Sequence, residues 1–328
     1  MSKDSFQYWK ELVGLENTDF PQLIDLKDYN IERATIVPTR LAPIKAAIAA
    51  NSTVSVQVQP GWGATTLFRY LTYDLRKDSL TLIVNYDYEA NELDENLTQA
   101  DFIFQTKWKM ASYICRMFRD KPMQPIYMYD VMGFEDTGVS PWQGHLRRLM
   151  RGLDTCEKDS EKFYALFPFF ARHSVDECVD YFLRNFQIRT VFLYLFPQKV
   201  STDAVFALVG IIKNLYDGKE IQPAAMREVY ISTPRVFRRL RETYERPYHI
   251  ENYPPYSAAE IFRMLVSTYP IEDSAQSIND LFSPEYITAV YDPKSTLRKI
   301  MKQVERDIEA ALPSDTAAIP YRLEKREE

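Results

Sequence analysis

The stretch VSVQVQPGWGATT, from Val54 to Thr66, decides the fold. Val54–Val58 reads as a strand that stops at the turn signal Pro60-Gly61. From Thr65 to Lys77 the spacing becomes helical, with Leu67, Tyr70, Leu71 and Leu75 on one side. Working outward, the same alternation continues. Leu80–Tyr86 is a second apolar strand. Ile188–Phe196, aromatic, branched and bounded by Pro197, is apolar on both faces, as a central parallel strand must be. Glu228–Ser232 and the brief Tyr248–Glu251 complete the strands. Helical patterns fill Asp101–Phe118 and Glu161–Phe186, with a short strand candidate, Ile126–Asp130, between them. Ser201 caps a helix carrying Val205, Leu208, Val209, Ile212 and Leu215, which Asp217-Gly218 ends, and a basic helix spans Arg235–Tyr244. Strands alternating with helices predict an α/β chain with a parallel sheet flanked by helices.

From Pro254 onward the pattern is purely helical. Ser257-x-x-Glu260 forms a capping box ahead of Ile261, Phe262, Leu265 and Val266. Ser283-Pro284 opens another helix, and Leu297, Ile300, Met301, Val304 and Ile308 stripe a last one. The expected organisation is an N-terminal extension (1–35), an α/β core (36–253), a small helical lid (254–312) and a tail (313–328).

Composition sets the bounds. The 328 residues are 46% hydrophobic and 26% charged, which excludes disordered and fibrous classes, and the net charge of −6 excludes a general polyanion binder. Three separated cysteines (Cys115, Cys156, Cys178) and three histidines (His145, His173, His249) have neither zinc spacing nor a disulfide framework. Reduced thiols, a charged N-terminus and no apolar run of spanning length predict a cytoplasmic or nuclear protein without a membrane segment.

A strand, turn and helix can cradle phosphates if glycines turn backbone N–H groups toward the anion. A Lys must also reach the terminal phosphates, and a Ser or Thr must meet the magnesium ion. Laid on G-x-x-x-x-G-K-[ST], the segment reads Val58-Gln59-Pro60-Gly61-Trp62-Gly63-Ala64-Thr65. Gly63 and Thr65 match; Val58 replaces the first glycine and Ala64 the lysine. An ordinary strand-to-helix turn is the competing reading. An ATPase also needs an acid at a strand end, and Thr190–Phe196 runs into Pro197-Gln198 without one. Asp203 and Asp130 are the substitutes on offer, and Lys45 the substitute cation. Trp62 would occupy or cover the space a nucleotide wants, or it is buried against the lid or stacks on a base.

Three stretches resemble the AAA+ ATPases of the Orc1/Cdc6-like group, which includes initiators, loaders and regulators of transposition. Ile36–Leu41 (IVPTRL), with the Ala-rich helix and strand that follow, is similar to the approach to their phosphate loop. YPPYSAAEIFRMLV, within Asn252–Val266, is similar to their lid junction. Ser295–Val304 (STLRKIMKQV) resembles the lid helix that bears the sensor-2 arginine. The resemblance implies a P-loop NTPase-like sheet with a helical lid. It places nucleotide contacts at Gly61, Trp62, Gly63, Ala64, Thr65 and Thr66, with Thr233 as sensor 1 and Arg298 as sensor 2. It places a contact to a neighbouring subunit or to nucleic acid among Arg235, Arg238, Arg239 and Arg246. A homo- or hetero-oligomer with AAA+-type subunits, associated with duplex DNA, is the implied setting. With Lys and acid both missing, the expectation is a subunit without catalysis and without a firmly held cofactor. An ATP-binding switch, or an atypical ATPase using Mg²⁺, is the alternative.

Overall fold

The apolar strand segments line up, every neighbouring pair parallel, as one five-stranded sheet in a computed structural model that describes residues 38–78, 80–88, 93, 96–120, 131, 142–196, 200–216, 226–243, 248–250, 253, 257–258, 283–292 and 294–311. The strands are β1 (Thr53–Gln57), β2 (Thr81–Asp87), β3 (Arg189–Phe196), β4 (Met226–Ser232) and β5 (Tyr248–Ile250), in the spatial order β2-β3-β4-β1-β5. Along the described chain run α1 (Pro38–Ala50), α2 (Ala64–Arg76), α3 (Gln99–Asp120), α4 (Trp142–Thr155), α5 (Ser160–Leu166), α6 (Pro168–Arg172), α7 (Val175–Phe186), α8 (Thr202–Tyr216), α9 (Pro234–Thr243), α10 (Pro284–Val290) and α11 (Leu297–Ala311).

Register explains the core. One face carries the rows Val84–Phe192–Glu228–Thr53 and Tyr86–Tyr194–Tyr230–Ser55 across β2, β3, β4 and β1. The three tyrosine rings stack nearly parallel, centroids 4.9 and 4.8 Å apart, with Tyr88 over Phe196 beside them. Helices α3, α4, α7 and α8 bury their apolar stripes in the same cluster. The opposite face carries Val54, Val56, Ile83, Val191, Leu193, Leu195, Val229 and Ile231, all buried. Arg227, on that face, donates to the Ile48 carbonyl of α1 at 2.9 Å. With both faces covered, a parallel sheet is the stable arrangement.

The helical pattern over Glu161–Phe186 is three helices, not one. Phe167 and His173 leave the helical region, Pro168 restarts the chain, and Ser174 with Glu177 forms a full capping box on α7. The strand candidate Ile126–Asp130 and the capping-box residue Glu260 lie outside the described residues.

The chain packs as two units. One holds the described residues of 43–57 and 71–251, and so the whole sheet; the other holds those of 1–42, 58–70 and 252–328. The glycine loop therefore belongs with the C-terminal helices. In that unit Ser283 caps α10 through the Tyr286 N–H (3.1 Å). The Tyr286 hydroxyl donates to Asp307 of α11 (2.8 Å), and Ile300 and Val304 turn inward. Among the described residues no helix is long and apolar enough to cross a membrane.

Candidate functional site

In open parallel sheets, ligands gather beyond the carboxyl ends of strands where the strand order reverses. Here that strand is β1. The chain leaves it to lay down β2 at the far edge, returns through β3 and β4, and ends at β5 on β1's other side. The loop that follows β1 is the Val58–Gly63 segment. Trp62 N–H donates to the Gln59 carbonyl (3.1 Å), closing a turn, and Leu67 N–H donates to the Gly63 carbonyl (2.9 Å), starting α2. Gly61 (φ +82°) and Gly63 (φ +85°) are both left-handed, a conformation in which a side chain is strained.

Gly61 has a second reason to be glycine. A Cβ there would lie 2.7 Å from Thr296 Cβ and 2.9 Å from its Cγ2. Thr296 precedes α11 and caps it, its Oγ1 accepting from Lys299 N–H at 3.2 Å. The turn before α2 thus meets the cap of α11 where Gly61 faces the Thr296 side chain. Arg298 is the second residue of α11. Ala64 is the first residue of α2, Thr65 and Thr66 complete its opening turn, and Trp62 is only 6% exposed. The Gly61–Thr296 approach could not be read from sequence, because it joins positions 235 residues apart.

The sheet's carboxyl rim carries little acid. Gln57, Ser232 and Phe196 end β1, β4 and β3 in one register row, and Phe196 is fully buried. Among the described strand ends the carboxylate is Asp87, on the edge strand β2. Ser232 closes β4, and its buried Oγ has no hydrogen-bond partner. Thr233 lies one residue past the strand; its carbonyl accepts from Phe237 N–H (2.8 Å) at the start of α9. Ser232 is thus the last residue of β4, and Thr233 follows it.

The basic helix reads differently in three dimensions. Arg235, Arg238, Arg239 and Arg241 are all exposed on α9. Arg239 pairs with Glu242 (2.9 Å) and lies over the Phe206 ring of α8 at 4.9 Å. Arg235, Arg238, Arg239 and Glu242, with Asp203 and Pro234, line an open cleft of about 570 Å³, where three arginines meet two carboxylates. Arg235 and Arg238 form no ion pair among the described residues. Asp203, offered as a metal ligand, stands on this cleft in the first turn of α8. Lys45, offered as a replacement cation, is engaged with Asp74 at 2.6 Å. Arg246 and Asp130 lie outside the described residues.

Two lysines of α3 are structural. Lys107 donates to the Phe170 carbonyl (2.7 Å). Lys109 donates to the Asn85 carbonyl (2.6 Å) above the Tyr86 ring, and burial lowers its pKa to about 8 against the raising pull of Asp87. Burial pushes the Cys115 and Cys178 thiols up to about 12, so neither is a nucleophile. No group of His, Cys, Asp and Glu among the described residues could hold a metal ion.

The class these features define is an α/β, P-loop NTPase-like fold: a parallel sheet between helices, with the glycine loop after the strand at which the order reverses. Comparison with solved structures finds distant likenesses. The crystal structure of Cdc6p from Pyrobaculum aerophilum is similar at a TM-score of 0.38 and 12% identity, over 87% of this chain. The present chain spans 64% of that one. No family model matches the sequence, and no curated protein matches it.

Proposed function

We propose that this chain is a catalytically silent AAA+-like subunit, a structural or regulatory component of an oligomeric, DNA-associated complex. The observation that carries the reading is the opening of α2. Gly61 and Gly63 keep the left-handed turns of a phosphate loop, yet Ala64 stands where the ammonium would neutralise the β/γ-phosphates. Phosphoryl transfer rests on that electrostatic clamp and on a magnesium-bound acid. The absence of a carboxylate at the Phe196 end of β3 supports the same conclusion from a second strand.

The implied nucleotide can be tested against the residues present. Thr65 and Thr66 suit a magnesium-bound triphosphate, and a helix N-terminus favours an anion. Ala64 and the buried Trp62 do not suit one. The second reading, a nucleotide-holding switch, is favoured by the retained left-handed glycines, Thr65, Thr66 and the place of Arg298 in α11.

For partners, the α8–α9 cleft supports a protein neighbour at least as well as DNA. Asp203 and Glu242 offset part of its positive charge, and a phosphate backbone gains chiefly from unopposed cations. The test uses the purified chain. Incubation with MgATP should release no phosphate above a no-protein control, and ATP should not change the sedimenting species. Turnover that is lost on Asp203→Asn would overturn the reading. Binding of ATP without turnover would favour the switch.

A further inference from the structure

Glu228 lies in the middle of the sheet, in β4, on the face that carries the tyrosine stack. It is 4% exposed, and its Oε1 has no hydrogen-bond partner. In its register row stand Phe192 on one side and Thr53 on the other; Tyr230 follows it along the strand. Thr190 and Ser55 are its diagonal neighbours on β3 and β1. The hydroxyl oxygens of Ser55 and Thr190 are also buried without a partner, so three unsatisfied oxygens cluster on one face. The groups that hydrogen-bond the carboxyl are Tyr230 and Thr53, and no cation acts on it.

Among the described residues no ion pair reaches the Glu228 carboxyl. Helices α8 and α9 turn Leu208, Val209, Ile212, Val236 and Leu240 into this core, while Asp203, Arg235, Arg238, Arg239, Arg241 and Glu242 are exposed. Arg227 points to the other face and is bound to the Ile48 and Met226 carbonyls. Arg189, at the start of β3, is exposed. On this face lie the titratable Tyr86, Tyr194 and Tyr230, with Lys109 of α3 above the Tyr86 ring, and His249 of β5, which pairs with Ser55 in register and packs edge-on against Phe237.

We propose that Glu228 is a built-in proton-linked switch: the β1–β4 seam folds around a neutral carboxyl, and loss of that proton loosens the sheet. An ionised carboxylate at this place would be buried with no paired charge, which costs far more than a hydrogen-bonded neutral acid. Burial accordingly raises its pKa from 4.5 to about 7, Tyr230 and Thr53 pulling the other way. The folded state then binds the proton more tightly than the unfolded chain. Stability contributed by this group is full below about 4.5, falls as pH rises, and is gone above about 7. A shift from 4.5 to about 7 corresponds to about a 300-fold change in the unfolding constant across that window.

The experiment is urea unfolding of the full chain from pH 5 to pH 8.5, comparing wild type with Glu228→Gln, Glu228→Leu and His249→Gln. Wild type should lose stability as pH rises. Both Glu228 variants should flatten the dependence and unfold at higher urea than wild type at pH 8, and His249→Gln should keep the slope. Equal slopes in wild type and the Glu228 variants would overturn the proposal. So would Glu228 variants that are less stable than wild type at pH 8, or that do not fold there, because removing an ionised buried group should help. A slope that vanishes in His249→Gln would move the switch to the histidine and reject the assignment to Glu228.

Discussion

At the scale of single residues, two backbone positions carry the sharpest expectations. Gly61→Ala combines a left-handed φ with a methyl 2.7 Å from Thr296 Cβ, and should cost about 1–3 kcal/mol in urea unfolding, with the slope unchanged. Thr296→Gly in the same chain should recover part of that loss and leave the φ penalty in place; full additivity of the two changes would mean that the contact is absent. Gln187 at the end of α7 is the converse case. It is left-handed (φ 58°) without being glycine, so Gln187→Gly should stabilise by about 0.5–1 kcal/mol, read as a raised urea midpoint. The sequence shows why glycine suits positions 61 and 63, since the turn demands it. It does not show that Thr296 stands over the first of them, or that Lys45 is occupied by Asp74.

At the scale of elements, local signals were legible where they were local. Ser283-Pro284 opens a helix as its sequence says, and the all-apolar Ile188–Phe196 is a central strand because both its faces meet apolar layers. The segment from Glu161 to Phe186 is helical as its pattern says, and the non-helical backbone at Phe167 and His173 divides it into three helices. The capping box on α7 supports a direct test: Ser174→Ala should cost about 1 kcal/mol by thermal or urea unfolding. Hydrogen bonds from Ser174 hold the Glu177 carboxyl below its usual range. Its contribution is therefore present above about 4.5 and lost as pH falls below that value, the opposite sense to Glu228. Helix α9 should behave as surface. Arg235→Ala with Arg238→Ala should change stability by no more than about 0.5 kcal/mol, yet weaken whatever assembly or duplex-DNA binding the chain has. Unchanged binding would remove the cleft from the interface.

At the scale of the whole molecule, the α/β class and the parallel sheet followed from alternation alone, whereas the grouping of the glycine loop with the C-terminal helices did not. Alternation reports which segments are strands and which are helices. It carries nothing about which loop packs with which distant helix, and Gly61 and Thr296 belong to segments whose own patterns are complete without each other. The proposed site is read as a set of departures, Ala64 for lysine and Phe196 for an acid, which the sequence offers position by position. Ser232 and Glu228 were harder, since burial of a polar residue in a strand is known only when the face is known. Those departures together underlie the proposal: a glycine turn before a helix, without the charge that holds a triphosphate.

Calorimetric titration of MgATP into wild type and Ala64→Lys tests that claim most directly. The account predicts no binding by wild type tighter than about 1 mM, and at least about a tenfold gain in Ala64→Lys, where the new ammonium stands at the start of α2. Micromolar binding by wild type, unimproved by the lysine, would contradict it.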